Sequence, residues 1–162
     1  MKKFFLPFTL LVFLFVGCTK QESKRAIAVF VPGIIDNSPV YSMLVDGVKY
    51  VVDSYNANMP DEKEISLFVM EAGTNQAEWS SQIISLASTK KYELIISSNP
   101  SLPDLVEPIV KQFPKQKFIL LDATKEGNPN IATVSYNQKE QAYLSGYAGA
   151  LMSKNHKMTL IA

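Results

Sequence analysis

Two residue types that build most metal and redox sites are nearly absent from this sequence. The chain of 162 residues has one cysteine and one histidine. One cysteine cannot form a disulfide within the chain, and together they supply too few ligands for a typical zinc site. Nucleophile-elbow spacing, a dinucleotide fingerprint and a phosphate-binding loop are also missing. His156 follows the last predicted helix, where we expect it to be exposed. We therefore interpret the protein as a non-enzyme with no cofactor and no metal.

An excess of charge of one sign is also lacking. Lysine and arginine number 16 and aspartate and glutamate 15, which gives a formal net charge of +1. Without Lys2 and Lys3 the charge becomes −1. Such a balance provides no basic field for nucleic acid or for acidic membrane lipid. We expect a small-molecule partner and no nucleic acid.

No apolar run is long enough to span a bilayer, which takes about 20 residues. The uncharged stretch from Phe4 to Val16 follows two lysines and is typical of the apolar region of a secretory signal peptide. Val16-Gly17-Cys18 then resembles a bacterial lipobox, in which the chain is cut before a lipid-modified cysteine. The alternative is a free cysteine at the end of a transmembrane segment.

The lipobox reading divides the start of the chain into two parts. Residues 1–17 are predicted to be a lipoprotein signal peptide, and residues 18–25 an acylated cysteine with a polar tether. Cys18 is the predicted lipidation site, and several acyl chains hold a protein firmly in a bilayer. We expect a cell-membrane location, lipid-anchored, facing the periplasm or the exterior.

From Ala26 onward, apolar β-branched segments alternate with segments of helical periodicity. The predicted strands are Ala26–Pro32, Glu64–Glu71, Tyr92–Ser98, Lys117–Ala123 and Asn130–Tyr136. Ser38 and Pro39 predict a helix start, and Asn75 with Glu78 has the spacing of a capping box. Alternation of this kind predicts an α/β fold, a doubly wound parallel sheet with helices on both faces.

Three later features add expectations. Pro108 predicts a kink or a late start in the third helix. In the predicted helix Gln138–Lys154, small residues recur every four positions from Ala142 to Ala150, which predicts close packing against the sheet. The chain then runs into "KMTLIA", typical of a new strand. This ending predicts a longer protein, and the alternative is that these residues complete the sheet edge.

Ligands of open parallel sheets bind beyond the carboxyl ends of the strands. The polar residues predicted there, on four successive loops, are Asp36, Asn37 and Ser38; Glu71, Thr74 and Asn75; Ser97, Ser98 and Asn99; and Asp122. Hydroxyls, amides and carboxylates suit a neutral ligand that carries several hydroxyl groups, such as ribose or a sugar. A phosphate would be poorly served, because these loops contain no lysine or arginine.

Each candidate also has a purely structural interpretation. The residues from Asp36 to Ser38 can turn the chain and cap the first helix, and Ser98 and Asn99 can form a turn. Tyr41 can stack on a flat ligand or pack in the core. We interpret Trp79 as packing. The predicted ligand-binding residues are Asp36, Asn37, Ser38, Tyr41, Ser98, Asn99 and Asp122.

The segment from Tyr92 to Lys154 resembles the basic membrane protein family of lipoproteins. These are substrate-binding components of ABC importers and include the purine nucleoside receptor lipoproteins. The residues that carry the resemblance are Leu94–Ser98, Phe113-Pro114, Lys117-Phe118, Leu121-Asp122, Pro129-Asn130 and Glu140–Gly146.

The resemblance implies a periplasmic-binding-protein type I fold, whose two lobes close on a ligand. Residues 26–154 would form the first lobe, and residues 155–162 would start the crossover to a missing or truncated second lobe. It also implies a nucleoside-like ligand, an ABC permease as partner and a ligand contact from Asp122. The first loop departs from the family's Phe-Asn pair, because it has Asp36-Asn37 and then Val40-Tyr41. The alternative function is a surface lipoprotein that acts as an adhesin or scaffold.

Overall fold

The computed structural model describes residues 25–155 and 157–159. The predicted signal peptide, Cys18, nearly all of the tether and His156 lie outside the described residues, as does most of the strand predicted after Lys157. The described part of that last segment, residues 157–159, is not a strand.

Five parallel strands form one sheet in the order β2-β1-β3-β4-β5. The strands are β1 (Arg25–Val31), β2 (Ile65–Glu71), β3 (Leu94–Ser98), β4 (Lys117–Leu121) and β5 (Ile131–Val134). β1 pairs along its whole length with β2, from Arg25 opposite Ile65 to Val31 opposite Glu71. The predicted parallel sheet is confirmed, with strand ends shifted by up to two residues.

Helices cover both faces of the sheet, as predicted. The helices of the described residues are α1 (Pro39–Asn56), α2 (Gln76–Ser88), α3 (Leu102–Gln112) and α4 (Gln138–Met152), with short 3-10 turns at Ile35–Asn37 and Asp61–Lys63, and the first three cover the sheet. α2 and α3 pack on one face and α1 on the other. Right-handed crossovers between parallel strands produce this two-sided arrangement.

β1 lies at the centre of the core. Ala28, Val29, Phe30 and Val31 are all completely buried. Ala28 and Phe30 face α2 and α3, whereas Val29 and Val31 face α1. Because both faces of this strand are covered, its sequence is a continuous apolar run rather than an alternating one.

The larger part of the core lies between the sheet and the helices α2 and α3. Trp79, Ile83, Val106 and Ile109 pack there against the strands. The indole nitrogen of Trp79 donates a hydrogen bond to the carbonyl oxygen of Gly73 at 3.0 Å, so its one polar atom is satisfied. The interpretation of Trp79 as a packing residue is confirmed.

Both predicted helix starts are present. Ser38 is the N-cap of α1, and its hydroxyl accepts a hydrogen bond from the backbone N–H of Tyr41 at 3.4 Å. Asn75 caps α2 by accepting from the N–H of Ala77 at 3.2 Å. Its amide also donates to the carboxylate of Glu78 at 2.7 Å, so the two side chains pair directly.

Of the kink or late start expected at Pro108, the late start is wrong. The helix begins at Leu102 and continues through Pro108 to Gln112. Proline has no N–H to offer the carbonyl of Asp104 four residues earlier. Pro108 and Asp104 are both exposed, so water can satisfy that carbonyl.

The close packing expected for α4 against the sheet is also wrong. No residue of α4 is buried, and only Gly149 is even partly covered. Tyr143, Leu144 and Leu151 are exposed apolar side chains of this helix. Apolar residues lie all around α4, so it has no single apolar face to turn toward the sheet. Small residues at four-residue spacing therefore did not predict its packing.

Within residues 25–155 and 157–159, no helix combines the length and apolar character needed to cross a bilayer.

The buried side chains of α3 should contribute more to stability than exposed side chains of α1. Val106 is 1% exposed and Val51, on α1, is 65% exposed. We expect Val106→Ala to lower the free energy of unfolding by about 2 kcal/mol, through lost burial and the cavity left behind. The matched change Val51→Ala should alter it by less than about 0.5 kcal/mol. Urea unfolding followed by circular dichroism measures both, and equal losses would contradict the packing described.

Candidate ligand-binding site

The strand order creates a crevice at the carboxyl edge of the sheet. From β1 the chain crosses to β2 on one side, and it then returns to place β3 on the other side of β1. In open parallel sheets, ligands bind where successive connections diverge in this way. The segments after β1 and β3 therefore flank the crevice, and the segment after β4 lies next to it.

The loop after β1 is held to the end of β2. The backbone N–H of Ile35 donates to the carboxylate of Glu71 at 2.8 Å. The N–H of Gly73 donates to the carbonyl of Gly33 at 3.1 Å. The carboxylate of Glu71, a candidate for ligand contact, therefore holds the first loop in place.

Three predicted ligand-binding residues follow in this loop. Asp36 and Asn37 are exposed in a 3-10 turn, and neither side chain forms a hydrogen bond with another described residue. Ser38 is occupied as the cap of α1. Asp36 and Asn37 are thus available to a ligand, whereas the structural interpretation of Ser38 is the one observed.

Tyr41 packs against the backbone of the first loop. Its hydroxyl donates to the carbonyl of Pro32 at 3.0 Å. Its ring lies over Gly33, where an added Cβ would come within 2.5 Å of the ring carbon Cε2. A larger residue at position 33 would have to displace this ring, and Tyr41 serves here as a packing residue.

The segment after β3 is an ordered turn. The hydroxyl of Ser97 donates to the carbonyl of Phe30 at 2.6 Å and ties β3 to β1. Ser98 is buried. The side-chain oxygen of Asn99 accepts from the N–H of Ser101 at 2.9 Å and from its hydroxyl at 2.6 Å. Asn99 therefore shapes the entry to α3, and its amide nitrogen is the group left for a ligand.

Asp122, at the end of β4, has an unusual backbone. Its φ is +54°, in the left-handed region that favours glycine. Its carboxylate accepts a hydrogen bond from the side-chain amide of Gln138 at 2.6 Å. A strained residue that carries a functional group at a strand end is typical of a binding site.

A cavity of about 550 Å³ lies beside Asp122. Its lining residues are Pro100, Asp122, Ala123, Thr124, Ser135, Tyr136, Asn137, Gln138 and Lys139. This volume is in the range of small-molecule sites. Of the seven predicted ligand-binding residues, only Asp122 lines it.

Four lining residues were not among the residues predicted from sequence. Tyr136, Gln138 and Lys139 follow β5, and only the first four strand ends were considered, whereas Thr124 follows β4 and was not singled out. The segment between β5 and α4 carried the signal, since it also follows the carboxyl end of a parallel strand. Lys139 places a cation beside this cavity, which the loops considered from sequence lacked.

An ion pair holds the segment that follows Asp122. The ammonium nitrogen of Lys125 lies 2.7 Å from the carboxylate of Glu107 on α3. This hydrogen bond and the positive charge lower the pKa of Glu107, and the same pair raises the pKa of Lys125. A lowered carboxyl pKa means that the pair stabilises the fold at neutral pH and ceases to do so as the pH falls through that pKa.

Among the residues that the structure describes, no group of three histidine, cysteine, aspartate or glutamate side chains is gathered to hold a metal ion.

The family model of PnrA-like ABC transporter substrate-binding proteins matches residues 24–162. The chain belongs to this family. A protein called the CD4+ T-cell-stimulating antigen of Listeria monocytogenes is 27% identical over 78 residues, 48% of this chain and 22% of that protein. The ABC transporter nucleoside-binding protein BmpA of Lactococcus lactis is 29% identical over 75 residues, 46% of this chain and 21% of that protein.

The fold is similar to that of solved solute-binding proteins. An ABC transporter solute-binding protein from Aeropyrum pernix superposes with a TM-score of 0.63 at 21% identity, over 75% of this chain and 31% of that one. The chain of 162 residues is less than half as long as the curated relatives that it matches, since 78 residues are 22% of the Listeria protein. The predicted resemblance and the predicted fold class are confirmed for this PnrA-like chain.

The left-handed backbone conformation at Asp122 should affect the stability of variants at this position. We expect Asp122→Gly to be more stable than Asp122→Ala by about 1 kcal/mol, because only glycine adopts a positive φ without strain. Both variants lose the contact with Gln138, so their difference isolates the backbone. At the helical control position Asp53 the order should reverse, with alanine better by about 1 kcal/mol. Urea unfolding measures the free energy of unfolding of all four variants. If alanine is the more stable residue at both positions, the backbone strain inferred at Asp122 is contradicted.

Proposed function

We propose that this protein captures a nucleoside or a similar small polar molecule for an ABC importer, as an extracytoplasmic, lipid-anchored solute-binding protein. The observation that carries the proposal is the family match over residues 24–162, together with a polar crevice at the carboxyl edge of the sheet. Family members are substrate-binding proteins, in agreement with the interpretation that the chain is not an enzyme.

Ribose-like chemistry fits the groups at this edge. A carboxylate such as Asp122 can accept hydrogen bonds from two neighbouring hydroxyl groups. Asp36 and Asn37 are exposed and unpaired among the described residues, and the amide of Asn99 is available as a donor. Tyr136 lines the cavity beside Asp122 and supplies an aromatic ring for a flat base. A relative named as a nucleoside-binding protein supports this choice of ligand.

A two-lobed cleft follows from the same proposal. The packed unit of the described residues ends with β5, and α4 is exposed beyond it. We infer that the polar edge is one wall of a cleft and that a second lobe, reached through the segment after β5, supplies the other wall and covers α4. The crossover predicted at residues 155–162 would follow α4 in the chain.

Asp122 connects the crevice to this crossover. Its carboxylate binds Gln138 at the first position of α4. A ligand hydroxyl that reaches Asp122 would compete with Gln138 or bridge to it. Ligand occupancy would thereby bias the orientation of α4, and closure follows if the closed form makes the tighter contacts. The closed, loaded protein would then deliver its ligand to an ABC permease.

Membrane attachment rests on the lipobox at Cys18. The thiol becomes thioether-linked to diacylglycerol, and cleavage before residue 18 frees an amine for further acylation. Two or more acyl chains give stable attachment, whereas one gives only reversible binding.

The second candidate is a surface lipoprotein that acts as an adhesin or scaffold. It is favoured by the first loop, which lacks the family's Phe-Asn pair, and by the packing role of Tyr41. Such a protein would show no saturable binding of nucleosides. The ligand measurement below therefore separates the two functions.

Loss of the Asp122 charge should weaken ligand binding. We expect Asp122→Asn, in the intact lipoprotein, to lower the affinity for the best ligand of a nucleoside panel about tenfold to a hundredfold, because a charge-assisted hydrogen bond is lost. Isothermal titration calorimetry gives the dissociation constants.

Asp53→Asn is the matched control, since Asp53 is an exposed aspartate on α1. It should bind with unchanged affinity. Absence of saturable binding by the unmodified lipoprotein across the panel would contradict the transport function and favour the adhesin or scaffold.

Replacing the predicted acylation site should release the protein from the membrane. We expect Cys18→Ala to lose both acyl modification and cleavage before residue 18, since the thiol is the acceptor. Intact mass spectrometry of the membrane and soluble fractions tests this. Membrane attachment of Cys18→Ala by a cleaved chain would contradict the anchor.

A further inference from the structure

A second cavity, of about 520 Å³, lies at the amino edge of the sheet, opposite the ligand-binding crevice. It lies where α2 and α3 end and where β3 and β4 begin. Its lining residues are Arg25, Ala87, Lys90, Lys91, Tyr92, Glu93, Gln112, Phe113, Pro114, Lys115 and Gln116. Nothing in the proposed transport function uses this cavity.

Positive charge dominates the lining. Glu93 is the only carboxylate among the lining residues, and it is bound to Arg25, whose guanidinium nitrogens lie 3.0 and 3.1 Å from its oxygens. Lys90, Lys91 and Lys115 form no ion pair with any described residue. The acidic residues just before β2 lie beyond β1 from this cavity. Among the described residues, three lysine charges are therefore left without a carboxylate partner.

The helix ends do not neutralise these lysines. The carboxyl ends of α2 and α3 each contribute a partial charge of roughly −0.5. Two such ends offset about one of the three lysine charges. The described residues that line the cavity keep a net positive charge, although the whole chain is nearly neutral.

Few residues separate the predicted anchor, Cys18, from this cavity. The membrane surface should therefore lie near it. Arg25 lines the cavity and is seven residues after Cys18. Seven residues span at most about 25 Å. If Cys18 carries the anchor, as the proposed function requires, the amino edge of the sheet stays within that distance of the lipid headgroups.

We propose that Lys90, Lys91 and Lys115 form a docking surface for anionic phospholipid headgroups. The lysines bind headgroup phosphates, and the apolar lining from Tyr92, Phe113 and Pro114 accepts the glycerol portion. Docking at the amino edge turns the carboxyl edge, with its ligand-binding crevice, away from the bilayer and toward free ligand.

The test uses the intact lipoprotein in vesicles, with every lysine read separately. The protein is inserted into phosphatidylcholine vesicles with or without phosphatidylglycerol, acetylated with an amine-reactive reagent and analysed by mass spectrometry. We expect acetylation of Lys90, Lys91 and Lys115 to slow at least about threefold when phosphatidylglycerol is present. The exposed reference residues Lys49 and Lys154 should react equally in both vesicles. High salt should abolish the difference.

A matched pair of triple variants separates docking from overall charge. The first replaces Lys90, Lys91 and Lys115 with glutamine, and the second replaces Lys49, Lys154 and Lys157, which lowers the charge equally. Hydrogen exchange of residues 113–116 is the readout. We expect phosphatidylglycerol to protect this segment in the unmodified protein and in the second variant, but not in the first.

Three different results would each contradict the proposal, and the experiment distinguishes between them. Equal acetylation in both kinds of vesicle, with the protein still attached, would contradict docking of the lysines on lipid but not attachment through the anchor. Protection by inorganic phosphate in pure phosphatidylcholine vesicles would assign the lysines to a small anion instead. A protein that floats with neither kind of vesicle would contradict the lipid anchor of the proposed function. It would also contradict the docking, which depends on that anchor.

Discussion

The complete burial of β1 determines how the other strands and helices are arranged around it. Four successive residues, Ala28 to Val31, are covered on both faces and flanked by β2 and β3. Only helices on both sides of a parallel sheet can cover such a strand, so α1 must lie opposite α2 and α3. Because the strands are parallel, their carboxyl ends all lie at one edge of the sheet. The crevice opens at that edge, beside β1.

The two edges of the sheet differ in chemistry because they differ in backbone direction. The carboxyl edge leads into loops and helix starts, and carries Asp36, Asn99 and the strained Asp122. The amino edge receives helix ends, and carries lysines with few acidic neighbours. Stability comes from the core between them, so both edges are free to carry charge. We assign the first edge to ligand and the second to membrane.

Local patterns predicted what local interactions decide. The strands and the caps Ser38 and Asn75 follow from short-range sequence, and both agree with the structure. Tertiary placement could not be predicted in the same way. The small-residue spacing of α4 suggested packing, yet nothing in it specified which surface the helix meets. The cavity at Asp122 needed Gln138, which lies on another element, and the lysines at the amino edge meet only after α2 and α3 pack.

We propose that the carboxyl edge of the sheet binds the ligand. Hydrogen exchange of the intact protein, with and without a saturating nucleoside, tests this, because the amides of every segment report separately. We expect slower exchange in residues 33–38, 99–101 and 122–124 and at the start of α4, with little change at residues 113–116. Protection confined to the amino edge, or to surfaces away from both edges, would contradict it.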